Sequence, residues 1–290
     1  MIAVAGATGH TGKAVADALL QLGRPVRVIV RDEAKGESWK ARGAEVAVAS
    51  LGDADALSRA LSGADSAYLL VPPAYGAPDA LAAQRVVVNA LAEAVGLSQL
   101  RHAVLLSSIG GQHATGVGPI QTLHAAEQAL AATGRATTAL RAPYFAENWA
   151  GVLGAVAGQG ILPSFLPLDQ PIEMAATADI GGVAAELLLG PAPAGFKAVE
   201  MGGHAPLSPR ELAVSLGQML GRHIEPILVP LDQVVPTFTG FGFSESAATL
   251  IREMYEGFAS GRVSYEDPAA PHVRGTLTPV DVLGPSLARA

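Results

Sequence analysis

Three glycines spaced three residues apart stand near the start of the chain, in the sequence GATGHTG at residues 6–12. An apolar run precedes them and a helical pattern follows. In that setting glycine permits a tight turn, lets the backbone approach a phosphate, and allows the helix to pack closely on a sheet. Backbone N–H groups at the start of the helix then face the phosphates. We predict that this segment, rather than being an ordinary glycine-rich turn, binds the pyrophosphate of a dinucleotide through Gly6, Thr8, Gly9, His10, Thr11 and Gly12.

The residue after the second apolar run, residues 26–30, bears on which dinucleotide is bound. An acid at this position usually binds the ribose hydroxyls of NAD, whereas an arginine can receive the 2′-phosphate of NADP. The sequence places Arg31 here, followed by Asp32. Because a guanidinium suits bidentate phosphate contacts, we predict NADPH. NADH stays possible, since Asp32 is placed to bind ribose, and a solvated strand end is the other interpretation of Arg31.

Two residue types are scarce, and their scarcity narrows the chemistry. The chain has no cysteine and four lysines: Lys13, Lys35, Lys40 and Lys197. Without thiols, disulfides, iron–sulfur clusters and thiolate nucleophiles are excluded. The histidines lack the spacing of a metal site, and no G-x-S-x-G nucleophile motif is present. We therefore expect no metal, and any redox chemistry must be carried by a bound nucleotide.

Composition points to a folded protein whose partners are small molecules. The 290 residues are 50% hydrophobic and 16% charged, with a net charge of −7 at pH 7. A disordered chain would be less apolar, and an acidic balance argues against general nucleic-acid binding. No run of about 20 residues predicts a membrane span, and the N-terminus lacks the features of a signal peptide. We expect a cytoplasmic protein without nucleic-acid or membrane partners, as a monomer or homodimer.

The elements that would position these residues alternate regularly through the first half. Apolar runs predict strands at residues 2–5, 26–30, 44–49, 66–71, 103–107 and 137–141, with helical patterns between them. Strands that are apolar on both faces indicate a parallel sheet covered by helices. We predict an α/β fold: a Rossmann-type doubly wound parallel sheet at residues 1–150 and a smaller C-terminal α/β substrate lobe at 151–290. Residues 175–190 are expected to pack back onto the sheet, and the Gly/Pro-rich stretch near 158–168 to be an irregular loop.

Several segments in this order carry a family resemblance: MIAVAGATGHTG at 1–12, VRVIVRD at 26–32, ALRAPYFAENW at 139–149 and LSPRELAVSLGQMLGR at 207–222. The chain resembles the NmrA-like group of atypical short-chain dehydrogenases/reductases. That group includes bacterial NADPH-dependent quinone oxidoreductases and triphenylmethane-dye reductases. The resemblance covers nearly the whole chain and implies an NAD(P)-binding fold.

The resemblance also implies roles for residues at the ends of other strands. Asp53 matches a position that contacts the adenine amine, although it is equally placed as a helix N-cap. Val71 and Pro72 would pass the adenosine ribose. Ser107 would contact the nicotinamide ribose or the substrate, with simple solvation of the strand end as the alternative. Tyr144 would border the nicotinamide.

An aromatic segment after the sixth strand is expected to form a substrate pocket. Aromatic walls suit a flat conjugated substrate, so Phe145, Asn148 and Trp149 are candidate substrate residues. Core packing is an equal alternative for Phe145 and Trp149, and Asn148 is better suited to orienting backbone. The Phe-rich segment at 236–243, including Phe241, is expected to complete the pocket as a mobile apolar lid.

The Tyr/Lys pair with which most short-chain reductases protonate a carbonyl is missing. No lysine lies between Lys40 and Lys197, and the expected helix, residues 119–132, has no tyrosine. His124 is the nearest candidate proton donor because imidazole titrates near neutrality; a histidine on the helix surface is the other interpretation. An activated acceptor needs less acid help, so positioning in a dry pocket would carry the reaction.

Together these features predict an NADPH-dependent reductase that transfers hydride to a quinone or another conjugated, aromatic acceptor. Two alternatives remain. One is a regulator that senses NADP(H) without turning it over, which the missing Tyr/Lys pair favours. The other is a biosynthetic enzyme acting on a polyketide-like substrate.

Overall fold

The computed structural model describes residues 1–288 and contains one large parallel sheet and two small ones. The strands, in chain order, are β1 Ile2–Ala5, β2 Val26–Val30, β3 Glu45–Val48, β4 Ser66–Leu69, β5 His102–Ser108, β6 Thr137–Ala142, β7 Tyr144–Phe145, β8 Ile161–Ser164, β9 Met174–Ala175, β10 Phe196–Gly202, β11 Glu225–Leu228 and β12 Val273–Arg274. The large sheet has eight strands in the order β12-β10-β6-β5-β4-β1-β2-β3. Strands β7 and β9 form one small sheet, and β8 and β11 form the other.

Helices connect these strands and cover the large sheet. They are α1 His10–Gln21, α2 Glu37–Lys40, α3 Ala54–Leu61, α4 Ala80–Leu97, α5 Ile120–Ala132, α6 Leu153–Gln159, α7 Thr177–Leu189, α8 Pro209–Leu220, α9 Val234–Gly240, α10 Glu245–Ala259 and α11 Pro279–Leu287. Short 3-10 turns occupy Glu33–Gly36, Ala146–Val152 and Leu231–Gln233.

The strand order explains why one edge of the sheet is suited to binding. From the middle of the sheet, β1, β2 and β3 follow one another toward one edge, whereas β4, β5 and β6 follow one another toward the other edge. The direction of the strand order therefore reverses between β1 and β4. Ligands of doubly wound sheets bind at the carboxyl ends of the strands, at this reversal. Strands β1, β4 and β6 are buried at every residue, as expected for a sheet covered on both faces. The predicted α/β class is confirmed.

Local sequence signals fix the starts of several helices. Asp53 accepts a hydrogen bond from the Ala56 N–H at 2.9 Å and is the N-cap of α3. Ser208 and Glu211 form a reciprocal capping box at the start of α8, with Pro209 in the first turn. Such caps satisfy N–H groups that the helix itself leaves free.

The large sheet draws on the chain well beyond residue 150. Strand β10 pairs in parallel with β6, and β12 extends the sheet beyond β10. Helix α7 packs on α1 so closely that a Cβ added at Gly181 would lie 2.4 Å from the Cβ of Ala14. Residues 177–202 therefore contribute a covering helix and a strand to the large sheet. The division into two domains at residue 150 stays a prediction.

Residues 158–168 differ from the sequence-based expectation. Gly160 ends α6 in the left-handed region, at φ +69°, and the chain then forms β8 instead of an irregular loop. Strand β8 pairs in parallel with β11, and each carries a proline, Pro163 and Pro226. Proline is tolerated in edge strands, where one side of the strand makes no ladder bonds. Both strands of a two-stranded sheet are edge strands, so both prolines are tolerated here. In the sequence, however, Pro163 and the nearby glycines favour a loop over a strand.

Helix α4 alone among the described helices is long and apolar enough, by length and composition, to cross a membrane. It lies between α3 and α5 in this fold, with Leu91, Ala94 and Val95 in the core.

Candidate functional site

The glycine loop after β1 has the geometry that its sequence predicts. Gly6 adopts φ +67°, a conformation that side chains rarely adopt, and a Cβ there would lie 2.5 Å from Leu70 Cδ2. A Cβ at Gly12 would lie 2.4 Å from the carbonyl carbon and oxygen of Gly6. Gly9 donates its N–H to the Gly6 carbonyl at 2.8 Å and closes the turn. The first and third glycines are thus required for the turn and for packing, respectively.

The N-terminus of α1 is left open toward solvent. Its N-cap is Gly9, which supplies no side-chain cap. Helices α5, α6, α7 and α9 also lack a side-chain cap, so α1 is distinguished by the glycine turn that joins it to the carboxyl end of β1. Thr8, Gly9 and His10 are exposed, while Thr11 and Gly12 are buried against the sheet. An uncapped helix start concentrates N–H donors and positive potential, which suits a phosphate. The start of α1 therefore offers exposed backbone N–H groups that suit an anionic group.

Arg31 and Asp32, after β2, differ in the contacts that their side chains make. The Asp32 carboxylate accepts a hydrogen bond from the Ala34 N–H at 3.0 Å and caps the 3-10 turn. Arg31 is exposed and forms no hydrogen bond or ion pair with the described residues 1–288. The arginine is thus free to meet an anionic group, while the acid already has a structural task.

The segment after β4 is tied to the helical layer by a buried amide. Gln84 Nε2 donates to the Pro72 carbonyl at 3.4 Å, and Gln84 Oε1 accepts from Thr122 Oγ1 at 3.1 Å. Val71 is buried beside this contact. The backbone at Val71 and Pro72, which are predicted to pass the adenosine ribose, is therefore linked by Gln84 to helices α4 and α5.

A cavity of about 330 Å³ opens at the same carboxyl edge of the sheet, between the segments after β4 and β6 and the helices α9 and α10. Six aromatic side chains contribute to its largely apolar walls: Tyr75, Tyr144, Phe145, Phe238, Phe243 and Tyr255. Gln84 and Asn148 add amide groups to the lining. Such a small, largely apolar site with few polar groups suits a flat organic molecule.

One side of the cavity is closed by a contact between two distant parts of the chain. The rings of Tyr75 and Phe243 stack with centroids 4.2 Å apart and an interplanar angle of 24°. Backbone reinforces this contact, because the Ser244 N–H donates to the Tyr75 carbonyl at 2.7 Å. Phe238 packs on Phe243 at 5.2 Å. Helices α9 and α10 are thereby joined to the sheet across the cavity.

Two phenols meet inside the cavity. The hydroxyl oxygens of Tyr144 and Tyr255 lie 3.4 Å apart. Burial raises the pKa of Tyr144 well above its usual value, and the neighbouring Tyr255 adds to the effect. Burial also raises the pKa of Tyr255, against an opposing effect of the hydrogen bond from Tyr144. Both side chains are therefore neutral hydroxyl groups at physiological pH. Sequence reasoning did not select Tyr255, because an isolated tyrosine in an amphipathic helix carries no sequence signal.

The predicted substrate residues divide between the cavity and its surroundings. Phe145 and Asn148 line it. Trp149 instead lies in the core, where its Nε1–H faces Met174 Sδ at 3.3 Å and its ring supports Tyr144 edge-on at 6.4 Å. Phe241 is 72% exposed and is not part of the lining. Gly242, at φ +87°, turns the chain so that Phe243 faces the cavity and Phe241 faces solvent.

His124 and Ser107 are held by groups outside the cavity wall. His124 Nδ1 lies 2.9 Å from the Gly111 carbonyl oxygen, which requires a proton on Nδ1. Ser107 Oγ donates to Glu127 Oε1 at 2.5 Å, so only its acceptor capacity remains for a ligand. Glu127 also accepts hydrogen bonds from Arg141. The sequence did not predict this buried ion pair. Neither His124 nor Ser107 belongs to the cavity lining.

No group of three or more histidine, aspartate or glutamate side chains within residues 1–288 is arranged to hold a metal ion. The candidate site therefore comprises the glycine loop after β1, the exposed Arg31 and the cavity at the carboxyl edge of the sheet.

A nucleotide-binding α/β fold with an adjoining aromatic cavity is the class that these features define. The NmrA-like family matches residues 1–280, and the chain belongs to that family. Among curated relatives, the NAD(P)H azoreductase of Xenophilus azovorans is 28% identical, over 88% of this chain and 86% of the relative. Quinone oxidoreductase 2 of Escherichia coli is 29% identical, over 90% of this chain and 89% of the relative.

Solved structures show the same architecture from end to end. The NADPH complex of an Escherichia coli NADPH-dependent quinone oxidoreductase superposes with a TM-score of 0.80 at 24% identity, covering 100% of this chain and 99% of the other. The NADP(H) complex of a Citrobacter triphenylmethane reductase gives a TM-score of 0.83 at 20% identity, covering 99% of this chain and 100% of the other. These likenesses support the fold.

Proposed function

We propose that the protein is an NADPH-dependent reductase that transfers hydride to a quinone of one or two rings. One observation carries the proposal: the uncapped phosphate loop, the free Arg31 and the aromatic cavity all lie along one carboxyl edge of the sheet. The relatives' names, a quinone oxidoreductase and an azoreductase, support the same reaction class. The cavity, at about 330 Å³, is near the lower end of the range for small-molecule sites, which favours small quinones over bulky dyes.

The residues of the chain have distinct tasks in this reaction. When bound, NADPH supplies the hydride. The N–H groups after Gly9 hold the pyrophosphate, and Arg31 pairs with the 2′-phosphate. The aromatic walls hold the acceptor ring and exclude water, so that the hydride donor and the quinone meet in a productive orientation. Asp53, Val71, Pro72 and Ser107 are proposed to contact the cofactor, as the family resemblance implies.

The reaction does not need a Tyr/Lys acid pair. Helix α5, where this pair stands in most short-chain reductases, contains neither residue. A quinone gains aromatic stabilisation when it is reduced, so it accepts hydride without the strong carbonyl activation that a ketone requires. The absence of the pair is thus compatible with reduction of a quinone, although it also suits the sensing regulator.

The direct test is NADPH oxidation followed at 340 nm with benzoquinones, naphthoquinones, an azo dye and a triarylmethane dye, beside calorimetric binding of NADPH and NADH. We expect tight NADPH binding and turnover with the small quinones. Binding without turnover on any acceptor would favour the sensing regulator instead. Turnover on the dyes alone would show that the acceptor class is wrong.

A further inference from the structure

Tyr144 and Tyr255 form a hydroxyl pair within an otherwise largely apolar cavity. Their oxygens are 3.4 Å apart, and both residues line the cavity. Aromatic neighbours fix each ring: Phe258 meets Tyr144 edge-on at 5.8 Å, and Phe165 lies 5.4 Å from Tyr255. The pair joins the end of the sheet to α10, so its geometry depends on both parts of the fold.

One of the two hydroxyl protons of this tyrosine pair is not used in a hydrogen bond to the protein. Each phenol has one donor hydrogen, and a single mutual hydrogen bond uses one of the two. Asn148 also interacts with the Tyr144 hydroxyl and opposes the rise in its pKa, as an amide N–H donor does, and within residues 1–288 no carbonyl or carboxylate oxygen accepts a hydrogen bond from either hydroxyl. The second O–H proton therefore has no protein acceptor, and it is available to a ligand oxygen in the cavity.

We propose that the Tyr144–Tyr255 pair protonates the acceptor oxygen during reduction, in place of the missing Tyr/Lys pair. This inference rests on the proposed reductase function. It also assigns Tyr255 a catalytic role and gives Tyr144, which the family resemblance places beside the nicotinamide, a second task.

Reduction of a quinone to a hydroquinone requires one hydride, which carries two electrons, and one proton. The hydride would be supplied by bound NADPH, which would leave as NADP⁺. The O–H bond of one tyrosine breaks, and a new O–H bond forms on the quinone oxygen. The other tyrosine donates a hydrogen bond to the tyrosinate that results. Water then returns a proton to that tyrosinate.

Burial does not prevent this transfer, because it affects donor and product alike. The same low dielectric that disfavours a tyrosinate also disfavours the charged oxygen of the half-reduced acceptor. Proton transfer between two phenol-like oxygens in one apolar cavity is therefore close to thermoneutral. A lysine is unnecessary, since the second tyrosine stabilises the phenolate by a charge-assisted hydrogen bond.

The first experiment removes one hydroxyl at a time and retains each ring. Tyr144→Phe and Tyr255→Phe are compared with Tyr265→Phe, which removes a phenol outside the cavity. We expect kcat to fall about 100-fold in each cavity variant, the low end for general acid catalysis. NADPH affinity and the Tyr265→Phe rate should not change. The double variant should be no slower than the slower single variant, because the two residues act as a unit.

Substrate electronics separate acid catalysis from packing. An electron-rich methylated quinone needs the proton more than an electron-poor chlorinated quinone, so the loss of kcat should shrink along that series. Rate against pH separates the pair from His124. Neutral phenols predict a flat profile through neutrality, whereas a protonated histidine donor predicts a rate that falls as pH rises. A uniform loss across all quinones, or that falling profile, would overturn the proposal.

A binding experiment keeps the pair testable even if no quinone is reduced. 4-Nitrophenolate carries a phenolic oxygen, and its visible absorbance reports binding without turnover. We expect Tyr144→Phe and Tyr255→Phe each to weaken its binding about tenfold, the loss of one hydrogen bond to a charged group. Wild-type inactivity with normal nitrophenolate binding would contradict the proposed function alone. Equal nitrophenolate affinity in all variants would contradict the tyrosine pair.

Discussion

Arg141 donates two parallel hydrogen bonds to Glu127, from Nε to Oε1 at 3.0 Å and from Nη2 to Oε2 at 2.7 Å. The side chains are only 6% and 1% exposed, so the pair is removed from water. Arg141 Nη1 also reaches Glu266 Oε2 at 2.6 Å. The guanidinium thus ties α5, β6 and the segment after α10 into one unit behind the site.

Glu127→Gln should destabilise the fold strongly. The substitution removes the buried bidentate partner of Arg141 and leaves Glu266 and Glu200 as its acidic neighbours, so the cost should approach but not exceed the roughly 3–5 kcal/mol of a buried charge left fully unpaired. The measurement is the free energy of unfolding from urea denaturation. Glu45→Gln is the control, since it breaks an exposed ion pair with Arg27 and should cost at most about 1 kcal/mol. Equal losses in the two variants would show that the buried pair has no special weight.

Arg31→Ala should weaken NADPH binding far more than NADH binding. Only NADPH carries the 2′-phosphate, and a hydrogen bond to a charged group contributes about 1.5–3 kcal/mol, or roughly 10- to 150-fold in Kd. Calorimetry with both nucleotides provides the measurement. Arg24→Ala, at an exposed arginine before β2, is the matched control and should change neither affinity. A parallel loss for both nucleotides would refute the assignment of Arg31.

The sheet was predictable because its information is local. Each predicted strand from residue 2 to residue 141 is present with bounds shifted by at most two residues, since apolar runs between turn residues depend little on distant contacts. The glycine loop was predictable for the same reason. Its φ value at Gly6 and the close approach at Gly12 are demands that only glycine meets.

The cavity was only partly predictable, because it is made by long-range pairing. Phe241 and Phe243 are two residues apart in the same Phe-rich segment, yet Gly242 sends one to solvent and the other into the wall. Tyr255 meets Tyr144 across 111 residues of sequence. No spacing rule links such positions, because α10 reaches the sheet only once the tertiary fold is formed.

Gly12→Ala should disrupt the phosphate loop. A methyl group there would lie 2.4 Å from the Gly6 backbone, so the loop or α1 must move, and overpacking of this kind typically costs about 1–3 kcal/mol. We expect NADPH binding to fall by at least tenfold, measured by calorimetry on the folded variant. Gly158→Ala, in α6, meets no atom within 4 Å and should leave binding unchanged. Normal affinity in Gly12→Ala would show that the loop does not hold the pyrophosphate.

Phe243→Ala should open the cavity without affecting the nucleotide site. The substitution removes the ring that stacks on Tyr75 at 4.2 Å and packs on Phe238 at 5.2 Å. An aromatic pair contributes about 0.5–1.5 kcal/mol beyond its buried area, so we expect KM for the quinone to rise about tenfold while the Kd for NADPH stays constant. Phe241→Ala tests the neighbouring ring, which is 72% exposed, and should leave KM unchanged. If Phe241→Ala raised KM as much as Phe243→Ala does, the lid would include the exposed ring, as the sequence alone predicts. If neither variant raised KM, the acceptor would bind outside this cavity.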